Sequence, residues 1–288
     1  MGDRHGFCVY LGMKRLHIFG IAAIAGIALA ASLISYKAEP MQNTSADHGQ
    51  FSQKLTKLAY QPNENLKYRI HYGVINAAVV NMSVSDPIMI NNRKALSLKV
   101  EGETLSSFEW LYIVRDKLES WVDAENHTPL RYAKTAREND YYFQDVVVYN
   151  HKDKFLKNKK GKMPITENTQ DVAAAIYYLR NLDYSNKAVG YEFPLNIYID
   201  NQIYNLKLKY VGKETIKTDI GKVRCIKLKP ELVVDRVFKS KDAMTVWVSD
   251  DENHIPVRIQ TDIYVGSLKV DIVKTQNLKS PMTSLVKK

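Results

Sequence analysis

An alternation of apolar and polar residues with a period of two dominates the chain after about residue 60. In LKYRIHYGV (66–74), the apolar residues Leu66, Tyr68, Ile70, Tyr72 and Val74 fall on one face and three basic residues fall on the other. Successive side chains of a β-strand point to opposite faces of a sheet, so this pattern predicts a strand with one buried face. Polar turns separate further runs of this kind, and the sequence therefore predicts a mainly β protein built on a large antiparallel sheet. The further runs are AVVNMSVS (78–85), ALSLKV (95–100), LNIYID (195–200), NLKLKY (205–210), KVRCIKLK (222–229), VRIQTDI (257–263) and SLKVDIV (267–273).

The segment TQDVAAAIYYLRNL (169–182) breaks this alternation and predicts a helix. Thr169 is a suitable N-cap, and the alanine run has high helix propensity. Val172, Ile176 and Leu179 recur at helical spacing and form one apolar stripe. A helix of this kind buries its stripe against a sheet. We therefore expect a curved, half-barrel-like sheet with this helix packed against its concave side.

A second interruption, LSSFEWLYI (105–113), carries aromatic residues at helical spacing and predicts a short helix or an aromatic loop. Aromatic side chains fill a core or the wide surface of a sheet more often than they line a ligand groove. If the concave face holds an apolar ligand, the sequence favours seven side chains as its contacts. They are Phe108, Trp110, Tyr112, Tyr142, Ile176, Tyr177 and Leu179.

The N-terminal region predicts export. Lys14-Arg15 precede an uncharged apolar run, IFGIAAIAGIALAASLI (18–34), and Ala28-Leu29-Ala30 provides a small-x-small cleavage site. This pattern is typical of a secretory signal peptide that begins at Met13, which places the mature chain in the periplasm or outside the cell. A retained N-terminal anchor is the alternative, since the run is just long enough to span a bilayer. We expect upstream residues and signal peptide over 1–38, a linker over 39–59, a single β-rich domain over 60–278 and a tail over 279–288.

Cysteine usage limits how the exported fold is held together. Only Cys225 follows the apolar run, so the mature chain has no internal disulfide and its core must stabilise the fold. Cys225 lies in an alternating strand pattern, which predicts a small buried hydrophobic residue.

The net charge is +10, spread along the chain. Seven basic residues alternate with core positions in the second half and should share the outer face of the sheet. They are Lys207, Lys209, Lys222, Arg224, Lys227, Lys229 and Lys269. A basic face suits a carrier of anionic amphiphiles near a membrane, but exposed lysines also prevent sheets from pairing edge to edge. An exported chain with no recognisable nucleic-acid motif is a poor candidate for binding nucleic acid.

One short segment occurs twice, as ENHTPLR (125–131) and ENHIPVR (252–258), each just after a Trp-Val pair. Both copies predict strand–turn–strand, with proline opening the return strand. The alternative is a metal site built from two glutamates and two histidines, namely Glu125, His127, Glu252 and His254. Solvated turns are the commoner use of such residues, and the sequence favours one structural device used twice. The neighbouring carboxylates Asp250-Asp251-Glu252 lack the ligand spacing of a calcium loop.

Several segments together resemble the exported bacterial family DUF3108. They are LKYRIHYGVINAA (66–78), VRDKLESWVDAENHTPLRY (114–132), QDVAAAIYYLRNLD (170–183), GKVRCIKLKPELV (221–233) and MTVWVSDDENHIPVRIQTDIYVGSLKVDIV (244–273). The resemblance covers roughly residues 60–278 and implies a β-rich envelope protein without an assigned reaction. The Trp-Val turn hairpin is also similar to one in half-barrel carriers of lipoproteins and lipids, a fold-level analogy. The resemblance supplies no catalytic residues.

The sequence favours binding over catalysis. It contains no nucleophile elbow, P-loop, dinucleotide fingerprint or H-E-x-x-H motif, and it predicts no catalytic residue, metal ligand or cofactor. The leading hypothesis is that the protein binds, and shuttles, a hydrophobic or lipid-like ligand in the envelope. The second is a non-catalytic interaction module with an envelope protein partner. The third, a hydrolase, would need a polar pocket of carboxylates, for which the first candidates are Glu101, Glu103, Asp116 and Glu119.

Overall fold

The computed structural model describes residues 57–166, 168–231, 243–263 and 266–286. The predicted upstream residues and signal peptide (1–38) lie outside the described residues, and so does the predicted linker as far as residue 56. Within the described ranges, no helix is long and apolar enough to cross a membrane.

Seventeen strands in the described part of the chain form one curved, open sheet that is not closed into a barrel. This confirms the predicted fold class, a mainly β protein with a large curved antiparallel sheet and one packed helix. The strands are β1 (Asn65–Tyr72), β2 (Ile75–Val84), β3 (Ile88–Ile90), β4 (Arg93–Thr104), β5 (Val114–Asp123), β6 (Pro129–Glu138), β7 (Tyr141–Asn150), β8 (Phe155–Asn158), β9 (Gly161–Pro164), β10 (Thr169–Asp171), β11 (Glu192–Ile199), β12 (Gln202–Thr218), β13 (Gly221–Pro230), β14 (Met244–Ser249), β15 (Pro256–Asp262), β16 (Ser267–Gln276) and β17 (Leu285–Val286).

Fifteen strands follow one another across the sheet in the order β9-β8-β7-β6-β5-β4-β2-β1-β16-β15-β14-β13-β12-β11-β10. The short strands β3 and β17 pair with β4 and β13. Most neighbours are consecutive hairpins, as alternating strands separated by short polar turns predict. The pairing of β1 with β16 joins the two halves of the chain at the middle of the sheet.

The helix α1 spans Val172–Arg180, shorter than the predicted segment, and its N-cap is Asp171 rather than Thr169. The Asp171 carboxylate accepts the Ala174 N–H at 2.9 Å. Thr169 instead begins β10, which pairs in parallel with β11. The prediction of Thr169 as N-cap was wrong because tertiary pairing draws residues 169–171 into the sheet, and a short carboxylate caps a helix as well as a hydroxyl does.

All nine residues of α1 are buried, so the helix is covered on every side and not only along its predicted stripe. A helix without an exposed face belongs to the interior of a domain. It contacts β4 and β5 on one side and β10 and β11 on another. The helix is therefore the central element around which the sheet curves.

The packed part of the chain extends beyond the predicted domain limits at both ends. Leu58 and Ala59 are buried, and Leu285–Val286 add a strand beside β13. Cys225 is fully buried in β13, which confirms its role as a small core residue. The aromatic segment 105–113 contains a 3-10 turn, Ser106–Phe108, followed by a loop into β5.

Candidate ligand site

The two copies of the repeated turn fix the position of α1. The first copy connects β5 to β6, and His127 donates through Nε2 to the Ala174 carbonyl at 2.9 Å. The second connects β14 to β15, and His254 donates through Nδ1 to the Arg180 carbonyl at 2.9 Å. The turns thus contact opposite ends of the same helix, and each contributes its histidine to a helix carbonyl.

The local structure of both turns follows from the shared sequence. His127 and His254 have φ of 60° and 42°, a left-handed conformation that histidine enters more readily than bulkier or branched residues do. The register of each hairpin shifts between Trp and Val, after Trp121 and after Trp247. Pro129 then opens β6, as Pro256 opens β15. The prediction of one structural device used twice is therefore confirmed at the level of backbone geometry.

The histidine and carboxylate side chains of the two turns contact other protein groups. The Nδ1 atom of His127 accepts the Tyr60 hydroxyl at 2.5 Å, and Glu252 contacts Lys57 and Ser280. Asp251 accepts the Ser284 hydroxyl at 2.6 Å. Among the residues that the structure describes, no three or more His, Cys, Asp or Glu side chains are grouped to hold a metal ion.

A buried ion pair fixes the C-terminal end of α1. The guanidinium of Arg180 makes two hydrogen bonds to Glu64, and neither side chain is exposed. The same guanidinium donates to the carbonyls of Asn253 and Ala59. The charges of Arg180 and Glu64 are paired with each other and with protein carbonyls. The pair therefore orients the helix, and neither charge is free to bind a ligand.

An apolar cavity lies between α1 and the strands β11, β12, β13 and β14, with a volume of about 50 Å³. Apart from one lysine, its lining is apolar. Helix residues supply one wall and alternating strand residues supply the other. The lining residues are Val172, Ala175, Ile176, Leu179, Leu195, Ile197, Ile199, Leu206, Lys207, Leu208, Pro230, Met244 and Val246.

The seven predicted contact residues divide into three places. Ile176 and Leu179 line the cavity. Tyr177 faces the other side of the helix, where its ring packs on Arg180 with the guanidinium carbon 5.4 Å from the ring centroid. Phe108, Trp110, Tyr112 and Tyr142 belong to one end of the sheet, away from the residues that line the cavity.

Sequence reasoning missed most of the cavity wall. Leu195, Ile197 and Ile199 alternate along β11, and Leu206 and Leu208 alternate along β12. The period of two identified these residues as core but did not show which of them border a gap. A cavity forms where side chains from different elements do not fill the space between them, and the local sequence pattern of one element cannot predict this.

The carboxylates proposed for a hydrolase do not converge. Glu101 and Glu103 are exposed, and Glu119 accepts the Ser97 hydroxyl at 2.6 Å. Asp116 is different, because burial raises its pKa to about 6. Nearby Glu138 has its pKa raised to about 7 by burial and by the Asp116 charge.

These two carboxylates lie beside the aromatic end of the sheet. Asp116 on β5 is opposite Ala136, two residues before Glu138 on β6. The Tyr112 hydroxyl donates to Glu138 at 3.3 Å. The pair identifies a second partly buried polar region, although nothing in its geometry supplies a nucleophile.

The lysines predicted for the outer face are mixed in exposure. Lys207 and Lys209 are exposed, whereas Lys227 and Lys229 are half-buried. Lys207 forms an ion pair with Glu192 at 2.8 Å. Lys207 lies between Leu206 and Leu208 on β12, so the alternation of the strand directs its ammonium to the outer face of the sheet.

Comparisons with solved structures support the fold. The β-barrel-like protein of unknown function DUF1849 from Brucella abortus is 8% identical, with a TM-score of 0.52 over 77% of this chain and 100% of that chain. A hypothetical protein from Chlamydia trachomatis has 9% identity and a TM-score of 0.34 over 79% and 94%. The lipoprotein LppX from Mycobacterium tuberculosis has 11% identity and a TM-score of 0.17 over 79% and 90%. At this identity the first match supports the fold alone, and the other two support no conclusion.

Comparison with curated proteins found no match. The model of the family described as protein of unknown function DUF3108 matches residues 67–273, which is most of the chain and nearly all of the sheet. The match includes both repeated turns, α1 and every strand that lines the cavity. The chain belongs to the DUF3108 family.

Proposed function

We propose that this protein is exported to the cell envelope and binds the apolar chain of a lipid-like ligand between α1 and the sheet, without catalysing a reaction. One observation carries the proposal, the cavity whose wall is apolar except for Lys207. Binding sites for small molecules are concave and mostly apolar, with few polar groups that orient the ligand. An empty space of this composition excludes water and favours hydrocarbon.

The size of the cavity limits what enters it. Ligand pockets commonly measure about 300–1,000 Å³, whereas this cavity measures about 50 Å³. The cavity therefore takes the end of one apolar chain, and the rest of the ligand lies outside it.

Native mass spectrometry tests this proposal. The protein is recovered from the periplasm without detergent and should then carry a discrete added mass that matches a lipid or fatty acid. Extraction with organic solvent should remove this added mass. Ala175→Leu fills the cavity from the helix, where alanine is buried against it. This variant should stay folded and lose the added mass.

Ala188→Leu is the matched control, because Ala188 is exposed and does not line the cavity. It should retain the ligand at the wild-type level. A bare wild-type mass, with no uptake of offered fatty acids, would refute lipid binding and favour the interaction module. Shuttling between membranes would follow only if the bound lipid also transfers to acceptor vesicles.

A further inference from the structure

Three connections at one end of the sheet expose a group of apolar side chains, which we call the aromatic rim (residues 73–75, 105–113 and 139–142). The antiparallel register places them together, since the end of β4 lies beside the start of β2 and the start of β5 beside the end of β6. Hydrogen bonds link neighbouring connections, from the Leu105 N–H to the Ala77 carbonyl and from the Asn139 N–H to the Ile113 carbonyl.

Side chains of the aromatic rim are unusually exposed for their type. Val74 is 97% exposed and Trp110 is 81% exposed. Large apolar side chains grouped on a surface mark an interaction site more often than isolated ones do. The others of the group are Ile75, Leu111, Tyr141 and Tyr142, each about half exposed or more.

The polar atom of the most exposed ring already has a partner. The Trp110 indole N–H donates to the Ser107 carbonyl at 3.0 Å. Burying this ring in an apolar medium therefore leaves no donor unpaired, which removes the main cost of such a transfer. Indole and phenol rings with aliphatic neighbours are the combination found at the boundary between lipid and water.

The opposite end of the sheet differs in composition. Its hairpin connections include the two repeated turns, with Glu125, Asn126 and Glu252 at exposed or half-exposed positions. Exposed apolar residues there lie on two short strands that are far apart in the sheet, Ile88 and Met89 on β3 and Leu285 and Val286 on β17. The aromatic rim is therefore a feature of one end and not of turns in general.

Charged residues of both signs border the aromatic rim, with Glu103, Glu109 and Asp140 as the acidic members and four basic residues as the others. Arg115 and Arg137 lie directly opposite each other on β5 and β6, and Lys159 and Lys160 occupy the neighbouring β8–β9 turn. Arg115 pairs with Glu109 at 2.6 Å. Within the described part of the chain, the other three basic residues make no ion pair, and the Lys159 ammonium donates to the Gln144 carbonyl at 3.2 Å. Arg137 and Lys160 therefore carry the charges most available to anionic head groups.

We infer that the aromatic rim docks this protein on an anionic lipid surface, with Trp110, Leu111 and Val74 entering the interface and the flanking cations contacting head groups. The inference goes beyond the proposed cavity ligand and does not depend on it. None of the aromatic-rim residues lines the cavity.

Fluorescence quenching by brominated lipids tests the inference. The exported chain, with whatever N-terminal residues it retains, is mixed with vesicles of phosphatidylglycerol and phosphatidylethanolamine that carry brominated acyl chains. Tryptophan emission should shift to shorter wavelength and be quenched. Trp110→Phe should lose that quenching, because Trp121 and Trp247 are largely covered by protein.

A reporter at the opposite end provides the control. In Trp110→Phe/Met89→Trp, the tryptophan moves to β3, and vesicles should leave it unquenched. Quenching of the tryptophan at position 89 would refute docking through the aromatic rim, and so would a lack of quenching at Trp110. A protein partner would then be the remaining candidate to cover the aromatic rim. Vesicles of phosphatidylcholine should bind less, and equal binding would remove the role assigned to the cations.

Partition measurements give a second readout. Trp110→Ser/Leu111→Ser should weaken vesicle partitioning by about a hundredfold or more, since each of the two buried apolar side chains contributes at least a tenfold factor. Ile88→Ser/Met89→Ser should not change it. Ala175→Leu should bind vesicles like the wild type. If this variant loses the cavity ligand but still binds vesicles, the cavity and the aromatic rim act independently. Loss of docking in Ala175→Leu would refute a surface independent of the cavity.

Discussion

The two repeated turns share sequence and backbone geometry but differ in what covers them. His127 is 1% exposed, with its ring between the helix and Tyr60. His254 is half-buried, with its ring edge-on to Tyr184. The segment that enters the domain at Lys57 packs over the first histidine through Tyr60, whereas the second histidine keeps part of its own surface exposed. The same turn therefore places its histidine in the core in the first copy, and in the second copy it places a half-buried histidine at the C-terminal end of the helix.

The difference shows that the contribution of a motif to stability is set by its surroundings. Both histidines donate to a helix carbonyl at 2.9 Å. An exposed hydrogen bond exchanges readily with water, and a buried one cannot be replaced without leaving a polar group unpaired. We therefore expect the same substitution to lower the free energy of unfolding more at His127 than at His254.

Arg180→Met should have the largest effect, because it removes the bond to the second turn and leaves Glu64 buried without a partner. Breaking one side of a buried ion pair costs about 3–5 kcal/mol. Urea denaturation should show this loss in the free energy of unfolding. Glu64→Gln in the same chain should restore part of it, and no recovery in the double variant would contradict the assigned pairing.

Lowering the pH should destabilise the fold through His127 in the first turn. Burial lowers the pKa of His127 from 6.5 to about 4. The unfolded chain then binds the proton more readily, so stability is complete above pH 6.5 and is lost as the pH falls toward 4. The loss from this group amounts to roughly 3 kcal/mol, at 1.36 kcal/mol per pKa unit.

His127→Gln isolates this contribution, because glutamine can still donate to the helix carbonyl but does not titrate. The difference in unfolding free energy between wild type and variant should shrink or reverse between pH 7 and pH 4. A constant difference across that range would show that His127 does not titrate with the expected shift.

His127→Gly should cost roughly 2 kcal/mol at pH 7, because it leaves the Tyr60 hydroxyl unpaired and a space in the core. Glycine adopts the positive φ without strain, so the backbone contributes little to the change. Thermal and urea unfolding measure it. Tyr60→Phe combined with His127→Gly should cost less than the sum of the single changes, since the two side chains contact each other.

His254→Gly should have the smallest effect, about 1 kcal/mol, which is the net value of one typical hydrogen bond. The His254 ring is half-buried, so its removal leaves a smaller space in the core than the loss of His127 does. Hydrogen exchange of the last turn of α1 should increase while the rest of the helix stays protected. An effect equal to that of His127→Gly would show that burial does not separate the two turns.

The strands were predictable because the half-buried face of a sheet imposes a period of two on the sequence. The run at 222–229 falls on β13, and the run at 66–74 falls on β1 as far as Tyr72. The prediction that Val74 lies on the buried face was wrong, because the chain turns at residues 73–74 and Val74 is 97% exposed. The helix was predictable in kind but not in its start, because Thr169 and Asp171 are both good caps and pairing with β11 decides between them. The aromatic segment was predicted as a candidate contact region, but its exposure depends on which connections share an end of the sheet.

The sequence by itself determined the alternating strands, the central helix, the repeated turn and the buried Cys225. These depend on local periodicity, turn chemistry and propensity, which neighbouring residues are enough to specify. Only the tertiary structure decided that both histidines bind the same helix and that Ile176 and Leu179 border a cavity whereas Tyr177 does not. These properties depend on distances between residues far apart in the chain, and no short-range pattern contains them.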